Sequence, residues 1–411
     1  MPFFILFSVL LTALLVSGCA DTAETSPSSD LSDSSLSSSA SSGSDSATQV
    51  QYRTVTDMRG EEVVIPAEPQ RVIAISRSLI DTTMYIFGVE DRIVGGSVYD
   101  KPLQMGQYVW NGTDYTVNTW IGKILNPGLD NVTNVGGFGG PYGLPNVETI
   151  ASLNPDLLIL RDLGDQDEDT EKFISQTEAM DIPVVVLKYP SCYDEPSVET
   201  MYEEIRLLGE VFGKEGEAEK IVETVSSRVE FIRSRTADIP EEEQKKVLYF
   251  GAPTWAKDKG GAGYAFGSGS TEVAMMEGII NSRSAYTEPG MNMVSAEQIL
   301  SLDPDKIILC TWSGYHSPRQ LYEDSQYGTI QELRALREGE VYSLTATPCK
   351  SERLEFPINL MVEAKAVYPE RFSDVELEPW IRDYFVELYG TNETKTDELM
   401  DALMLEYLEI V

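Results

Sequence analysis

In a chain whose 67 Asp and Glu outnumber 31 Lys and Arg, the positions of the few cations carry information. Several cations and rings follow directly on short apolar runs that read as β-strands: Ser76 and Arg77 after residues 71–75, Arg161 after 157–160, Lys188 and Tyr189 after 183–187. Trp255, Trp312 and Lys350 follow later runs, with Tyr315 and Arg353 close by. Ligands of open α/β sheets sit beyond the carboxyl ends of the strands. A guanidinium offers a planar fork matched to carboxylate, phosphate or oxyanion, and aromatic rings supply flat walls. The set reads as a binding surface for an anionic ligand, with Arg77 and Arg161 its leading members. Each residue is equally readable as a surface group paired with one of the abundant carboxylates.

Other chemistries are poorly served. His316 is the single histidine, so any site needing two imidazoles is excluded, and no G-x-S-x-G nucleophile motif occurs. The four cysteines, Cys19, Cys192, Cys310 and Cys349, include no C-x-x-C pair, which leaves a metal cluster without ligands. Cys310 and Cys349 read either as a disulfide or as buried thiols. The glycine-rich loops 136–143 and 260–269 lack the nucleotide-binding patterns. Their Phe138, Tyr142, Tyr264 and Phe266 either face a flat ligand or anchor turns. A formal charge of 31 − 67 = −36 repels phosphate backbones, which excludes nonspecific nucleic-acid binding. No catalysis, resident metal or cofactor is expected.

These side chains need a scaffold, and the chain repeats one. Residues 147–160 and 296–309 agree at eight of 14 positions without a gap. Each copy is a short amphipathic helix, a Pro-Asp turn and an apolar strand of the kind buried on both faces of a parallel sheet. Between them, residues 197–239 form the longest helical stretch, in which Ala218, Ile221, Val222, Val225, Val229 and Ile232 keep helical spacing. Gly209, Gly213 and Gly216 should break it, leaving a shorter helix before a rod of about 24 residues, roughly 36 Å long. The expected architecture is two α/β lobes, each a parallel sheet flanked by helices, joined by this backbone helix. The boundaries are 52–195 for the first lobe, 196–240 for the linking helices and 241–411 for the second lobe. Residues 101–134, with Trp110, Tyr115 and Trp120, read as a long loop that either lids the site or sits peripherally.

The N-terminus speaks to location. Residues 3–16 are apolar and small, and Val16-Ser17-Gly18-Cys19 resembles the box at which a signal peptide is removed before a lipidated Cys. No Lys or Arg precedes the run, so the start is displaced or the leader atypical, and an uncleaved anchor is the alternative. Residues 1–18 are read as signal peptide. Residues 19–51 form a tether, 13 of the 21 residues from Ser26 to Ser46 being Ser.

The opening segment 55–66 (Val-Thr-Asp-Met-Arg-Gly-Glu-Glu-Val-Val-Ile-Pro), the segment 69–75 (Pro-Gln-Arg-Val-Ile-Ala-Ile), the paired Pro-Asp units and the rod together resemble the substrate-binding lipoproteins of ABC importers. The ligands of that family are ferric siderophores, haem, cobalamin and some oxyanions. The resemblance implies an extracytoplasmic monomer held on the outer face of the membrane through Cys19. It implies that the protein captures an iron chelate, a corrinoid or an oxyanion and presents it to a permease dimer with its ATPase. It also implies that one acidic residue per lobe docks into the permease, and the repeat offers Glu148 and Glu297 at equivalent positions. Helix N-termini favour Glu through the helix dipole alone. The resemblance further places the Tyr264 loop near the cleft. The readings from other classes are a surface hydrolase or metal enzyme on the same plan, and a receptor without a permease.

Overall fold

The computed structural model describes residues 51–405 apart from 77, 98–103, 111–112, 119–120, 138–143, 163, 165–166, 252, 312–315 and 346–352. The first lobe begins with a hairpin of β1 (Tyr52–Thr56) and β2 (Glu62–Pro66). There follow β3 (Val72–Ile75), α1 (Leu79–Phe87) and β4 (Ile93–Gly96). Next come the hairpin of β5 (Gln104–Trp110) and β6 (Thr113–Asn118), then α2 (Ile121–Leu125) and β7 (Thr133–Asn134). The lobe ends with α3 (Val147–Ser152), β8 (Leu157–Asp162), α4 (Asp167–Glu178) and β9 (Val184–Lys188). Its five-stranded sheet has the order β7-β4-β3-β8-β9, parallel throughout, so the winding reverses between β3 and β8. That is the switch point at which such sheets open a crevice.

The edge of β9 is closed by the first hairpin. Asp57 Oδ2 accepts from Val186 N–H at 3.0 Å, and Met58 N–H donates to Val186 O at 3.0 Å. Arg59 reaches Val184 O at 3.1 Å. The segment shared with the family's opening motif thus satisfies groups that an unprotected edge leaves open.

The linking stretch is two helices, α5 (Val198–Phe212) and α6 (Glu215–Thr236). Only Gly213 breaks it, in the left-handed conformation at φ 63° that favours glycine. Gly209 stays inside α5 because α6 approaches there: a Cβ at 209 would meet Ala218 Cβ at 2.6 Å. Gly216 lies within the first turn of α6. The apolar stripe read from the sequence is the buried face of α6.

The second lobe contains β10 (Lys246–Gly251), α7 (Pro253–Lys257), β11 (Gly263–Phe266), α8 (Thr271–Ile280), β12 (Arg283–Ser284) and β13 (Met291–Val294). It continues with α9 (Ala296–Leu302), β14 (Lys306–Leu309), α10 (Arg319–Glu323), α11 (Arg334–Arg337) and β15 (Val341–Ser343). Three helices close the chain: α12 (Phe356–Val367), α13 (Leu377–Tyr389) and α14 (Glu393–Leu403). The sheet order is β13-β11-β10-β14-β15, with β12 also on β10. Strands β10, β14 and β15 are parallel, while β11 runs antiparallel to both of its neighbours, β10 and β13. The connection from β10 to β11 is too short for a βαβ crossover, so the chain turns back as an antiparallel neighbour.

The duplicated unit has a shared structural job. Asp156 accepts backbone N–H bonds from Gln70 and Arg71 at 2.7 and 2.8 Å, at the entry to β3. Its counterpart Asp305 accepts from Lys246 N–H at 2.8 Å, at the entry to β10. The cations repeat the pattern: Arg71 donates to the carbonyls of Leu153 and Asn154, and Lys246 Nζ to that of Leu302. In both copies the residue before Pro is left-handed, Asn154 at φ 45° and Asp303 at φ 42°. The Pro-Asp turn is kept because its carboxylate anchors the adjoining strand.

One apolar core runs through both lobes. One face of each sheet (Val72, Ala74, Leu157 and Ile159 in the first; Val247, Tyr249 and Ile308 in the second) joins α5, α6, α12 and α13 in a single cluster. The alternate residues form separate clusters on the opposite faces. The second lobe is not closed on itself at its end. Helix α14 packs on α2, with Lys395 Nζ donating to Ile124 O at 2.8 Å, and Tyr389 of α13 meets Tyr85 of α1 at 6.3 Å between ring centroids.

Candidate functional site

At the carboxyl end of β3 the chain passes through Ser76, whose Oγ accepts from Ile80 N–H at 3.3 Å and whose carbonyl accepts from Ser97 Oγ at 2.9 Å. Ser78 then takes φ 85°, a conformation that a side chain disfavours. The spacing Ser78-x-x-Asp81 has the form of a capping box, yet the box does not close. Ser78 Oγ, both carboxyl oxygens of Asp81 and Thr83 Oγ1 are all buried without a well-aligned hydrogen-bond partner among the described residues. Each such atom costs about 1–3 kcal/mol, so a turn with several of them is retained for something other than stability.

Across the junction, the segment leading into α12 supplies the opposite charge. Arg353 is 6% exposed and its Nε has no hydrogen-bond partner among the described residues. Glu355 is fully buried; one of its oxygens accepts from Tyr389 O–H and the other has no partner. The groups act on one another. Burial raises the Asp81 carboxyl to about 7; its own backbone N–H and, less strongly, Arg353 oppose that rise, and Glu355 adds to it. Burial likewise holds Glu355 above the usual carboxylate range, against the O–H of Tyr389 and the charge of Arg353.

Arg161 is engaged elsewhere. Its Nε and Nη2 donate to the two oxygens of Glu204 at 2.5 and 2.6 Å, and its guanidinium carbon lies 4.9 Å from the centroid of the Tyr189 ring. Both charged side chains are fully buried, and burial pushes the Glu204 carboxyl up while Arg161 pulls it down. Two of the residues read as ligand contacts, Arg161 and Tyr189, are thus assembled together, as a brace between β8, α5 and the end of β9. A third buried cluster involves Tyr249 of β10 and Glu363 of α12. Burial lifts Glu363 to about 8, nearby Glu272 adds to the rise, and the Tyr249 hydroxyl offsets part of it.

Among the remaining predicted residues, Trp255 is exposed on α7 and Tyr264 is half-buried on β11. Glu148 and Glu297 are both exposed in the first turns of α3 and α9, capped by Asn146 and by a Ser295–Gln298 capping box. Arg77, Trp312, Tyr315, Lys350, Cys19 and Cys349 lie outside the described residues. His316 is 2% exposed, packs at 6.0 Å from Phe250, and is held near 3 by burial, so it is a neutral core imidazole. Among the described residues no cluster of His, Cys, Asp or Glu is arranged to hold a metal ion, and no helix is long and apolar enough to cross a membrane. A groove of about 740 Å³ between β2 and α4 is walled by Glu61, Glu62, Glu171, Glu178 and Asp181; no predicted contact residue lines it.

Sequence reasoning passed over Ser78, Asp81, Glu355 and Glu363. A signal was present: Glu355, Asn359 and Glu363 recur every four residues from the cap through a helix whose only other charged residue is Lys365, which places a polar stripe on one buried face.

The profile of a family described as periplasmic binding protein matches residues 73–348. The molybdate-binding protein MolA of Haemophilus influenzae is 24% identical over 360 residues, covering 83% of this chain and 92% of that protein. The crystal structure of a periplasmic solute-binding protein from Veillonella parvula superposes with a TM-score of 0.68 at 22% identity, over 87% of this chain and 98% of its own. The molybdate-bound structure of MolA gives 0.64 at 21% identity, over 83% and 98%.

Proposed function

Because the chain belongs to the periplasmic binding protein family, we propose that it is the substrate-binding component of an ABC importer and that its ligand is an anion. The observation that carries the second half is Arg353, a nearly buried guanidinium with an unpartnered Nε, set electrostatically against a helix start whose polar side chains are also unpartnered. Helix starts and guanidiniums both favour negative charge. Ser76 and Arg77 precede that helix directly and belong to the same proposed site. The name of MolA supports an oxyanion such as molybdate; an anionic iron chelate fits the same cation. The relatives are transport proteins, which supports binding and delivery without catalysis. The shared core and the rigid α6 support a small hinge movement on binding. An anchor at Cys19 on the outer membrane face completes the reading.

The test is calorimetry and thermal shift of the protein against molybdate, tungstate, a ferric catecholate, a corrinoid and haem. One of the anions should bind, and Arg353→Gln should weaken it by about 2 kcal/mol or more, roughly thirtyfold. A variant that keeps wild-type affinity would remove Arg353 from the site. Reversing Glu148 and Glu297 together to Arg should leave that affinity unchanged and abolish uptake in cells, since two exposed carboxylates on rigid helix starts form a pattern that a dimeric permease can read. Loss of binding in vitro would instead place them in the pocket.

A further inference from the structure

The unpartnered atoms at the start of α1 impose a condition on any anion that enters beside them. Asp81 is 2% exposed, and among the described residues neither of its oxygens has a well-aligned partner beyond its own backbone N–H. An anion held by Arg353 and the start of α1 would meet an ionised Asp81 as a further buried negative charge, and Arg353 is the one described cation set against it. In the acid form the same carboxyl gains an O–H that it can donate to an anion. We propose that Asp81 is the proton-bearing selector of the anion site: the anion enters only with Asp81 in its acid form, so each anion captured takes up one proton from the solvent. This rests on the anion reading above.

The surroundings leave that role to Asp81. Arg353 and Glu355 are the charged groups that act on it among the described residues. On the elements packed against α1, Lys123 of α2 is paired with Asp130, Glu204 of α5 with Arg161, Arg206 of α5 with Glu219, and Arg228 of α6 with Glu387. Strand β3 carries no charge, and Glu90, Asp91 and Arg92 lie beyond the far end of α1. Burial pushes this carboxyl up to about 7, within reach of ordinary buffers.

The experiment is titration calorimetry of the full-length protein with molybdate between pH 6 and 9, where molybdate stays a dianion, in pairs of buffers with different ionisation heats. Above pH 7 the affinity should fall about tenfold per pH unit, with uptake approaching one proton per molybdate. Asp81→Asn should remove both the slope and the uptake and bind at pH 9 more tightly than wild type. Affinity independent of pH, uptake near zero, or an unaltered slope in Asp81→Asn would overturn the role of Asp81 while leaving the anion site standing. The wild-type proton count decides the matter even where the variant does not fold. Absence of binding by molybdate and every other anion at any pH would instead remove the anion site, and this inference with it.

Discussion

Arg161→Leu should destabilise the protein by about 3–5 kcal/mol in denaturant unfolding at pH 8, because it strands the fully buried carboxylate of Glu204. The pair is bidentate, and its guanidinium also covers the Tyr189 ring, so the loss is of charge, hydrogen bonds and packing together. Replacing both residues, Arg161→Leu with Glu204→Leu, should recover most of that loss, since an apolar pair of similar volume needs no desolvation. The deficit of the single variant should shrink at pH 5, where the stranded carboxyl can take a proton. A double variant no more stable than the single one would mean that the brace acts through shape rather than charge, and a deficit unchanged at pH 5 would mean the same.

The second large effect is a pH dependence that runs against the usual acid lability. Glu363 is raised from 4.5 to about 8, so its contribution to stability is fully present below pH 4.5 and is lost as pH rises through 8. The shift corresponds to about 5 kcal/mol, and Asp81, raised from 3.8 to about 7, adds about 4 kcal/mol in the same direction. His316 opposes them: held near 3 against an ordinary 6.5, it contributes stability above pH 6.5 that is lost as pH falls toward 3. Two carboxyls against one imidazole leave a net gain on acidification, and relief of repulsion in a chain of charge −36 adds to it. The protein should therefore be most stable near pH 5. Glu363→Gln should raise stability by about 2–4 kcal/mol at pH 8.5 and by nothing at pH 5. Equal effects at the two pH values would show that Glu363 is ionised in the folded state.

The parts of this fold that were legible in the sequence are those where one local pattern has one structural solution. The repeated Pro-Asp unit is such a case: a short helix must stop at Pro, and the carboxylate that follows has amides at the entry of the neighbouring sheet strand to bind, so Asp156 and Asp305 do the same work in both lobes. The stripe from Ala218 to Ile232 is another. Gly209 was not legible, because whether a glycine breaks a helix or admits a neighbouring one depends on where Ala218 falls in space. The antiparallel turn of β11 depended likewise on the length of one connection. Arg161 shows the limit for the site. Its position after a strand is the same for a ligand contact and for an internal pair, and its partner Glu204 lies 43 residues away on a helix that reads simply as polar on one side. Asp81 and Glu355 were hidden for the complementary reason, since acidic residues in so acidic a chain do not stand out until burial singles them out.

The seat of α14 against α2 has a bearing on how the molecule is made. A ribosome or an export channel delivers this polypeptide amino end first, so the wall that α14 seals stays open until the second lobe has been delivered and α14 follows it. The early lobe must then wait, half-built, for a latecomer from the other end, and that interval is when helper proteins have the most to guard.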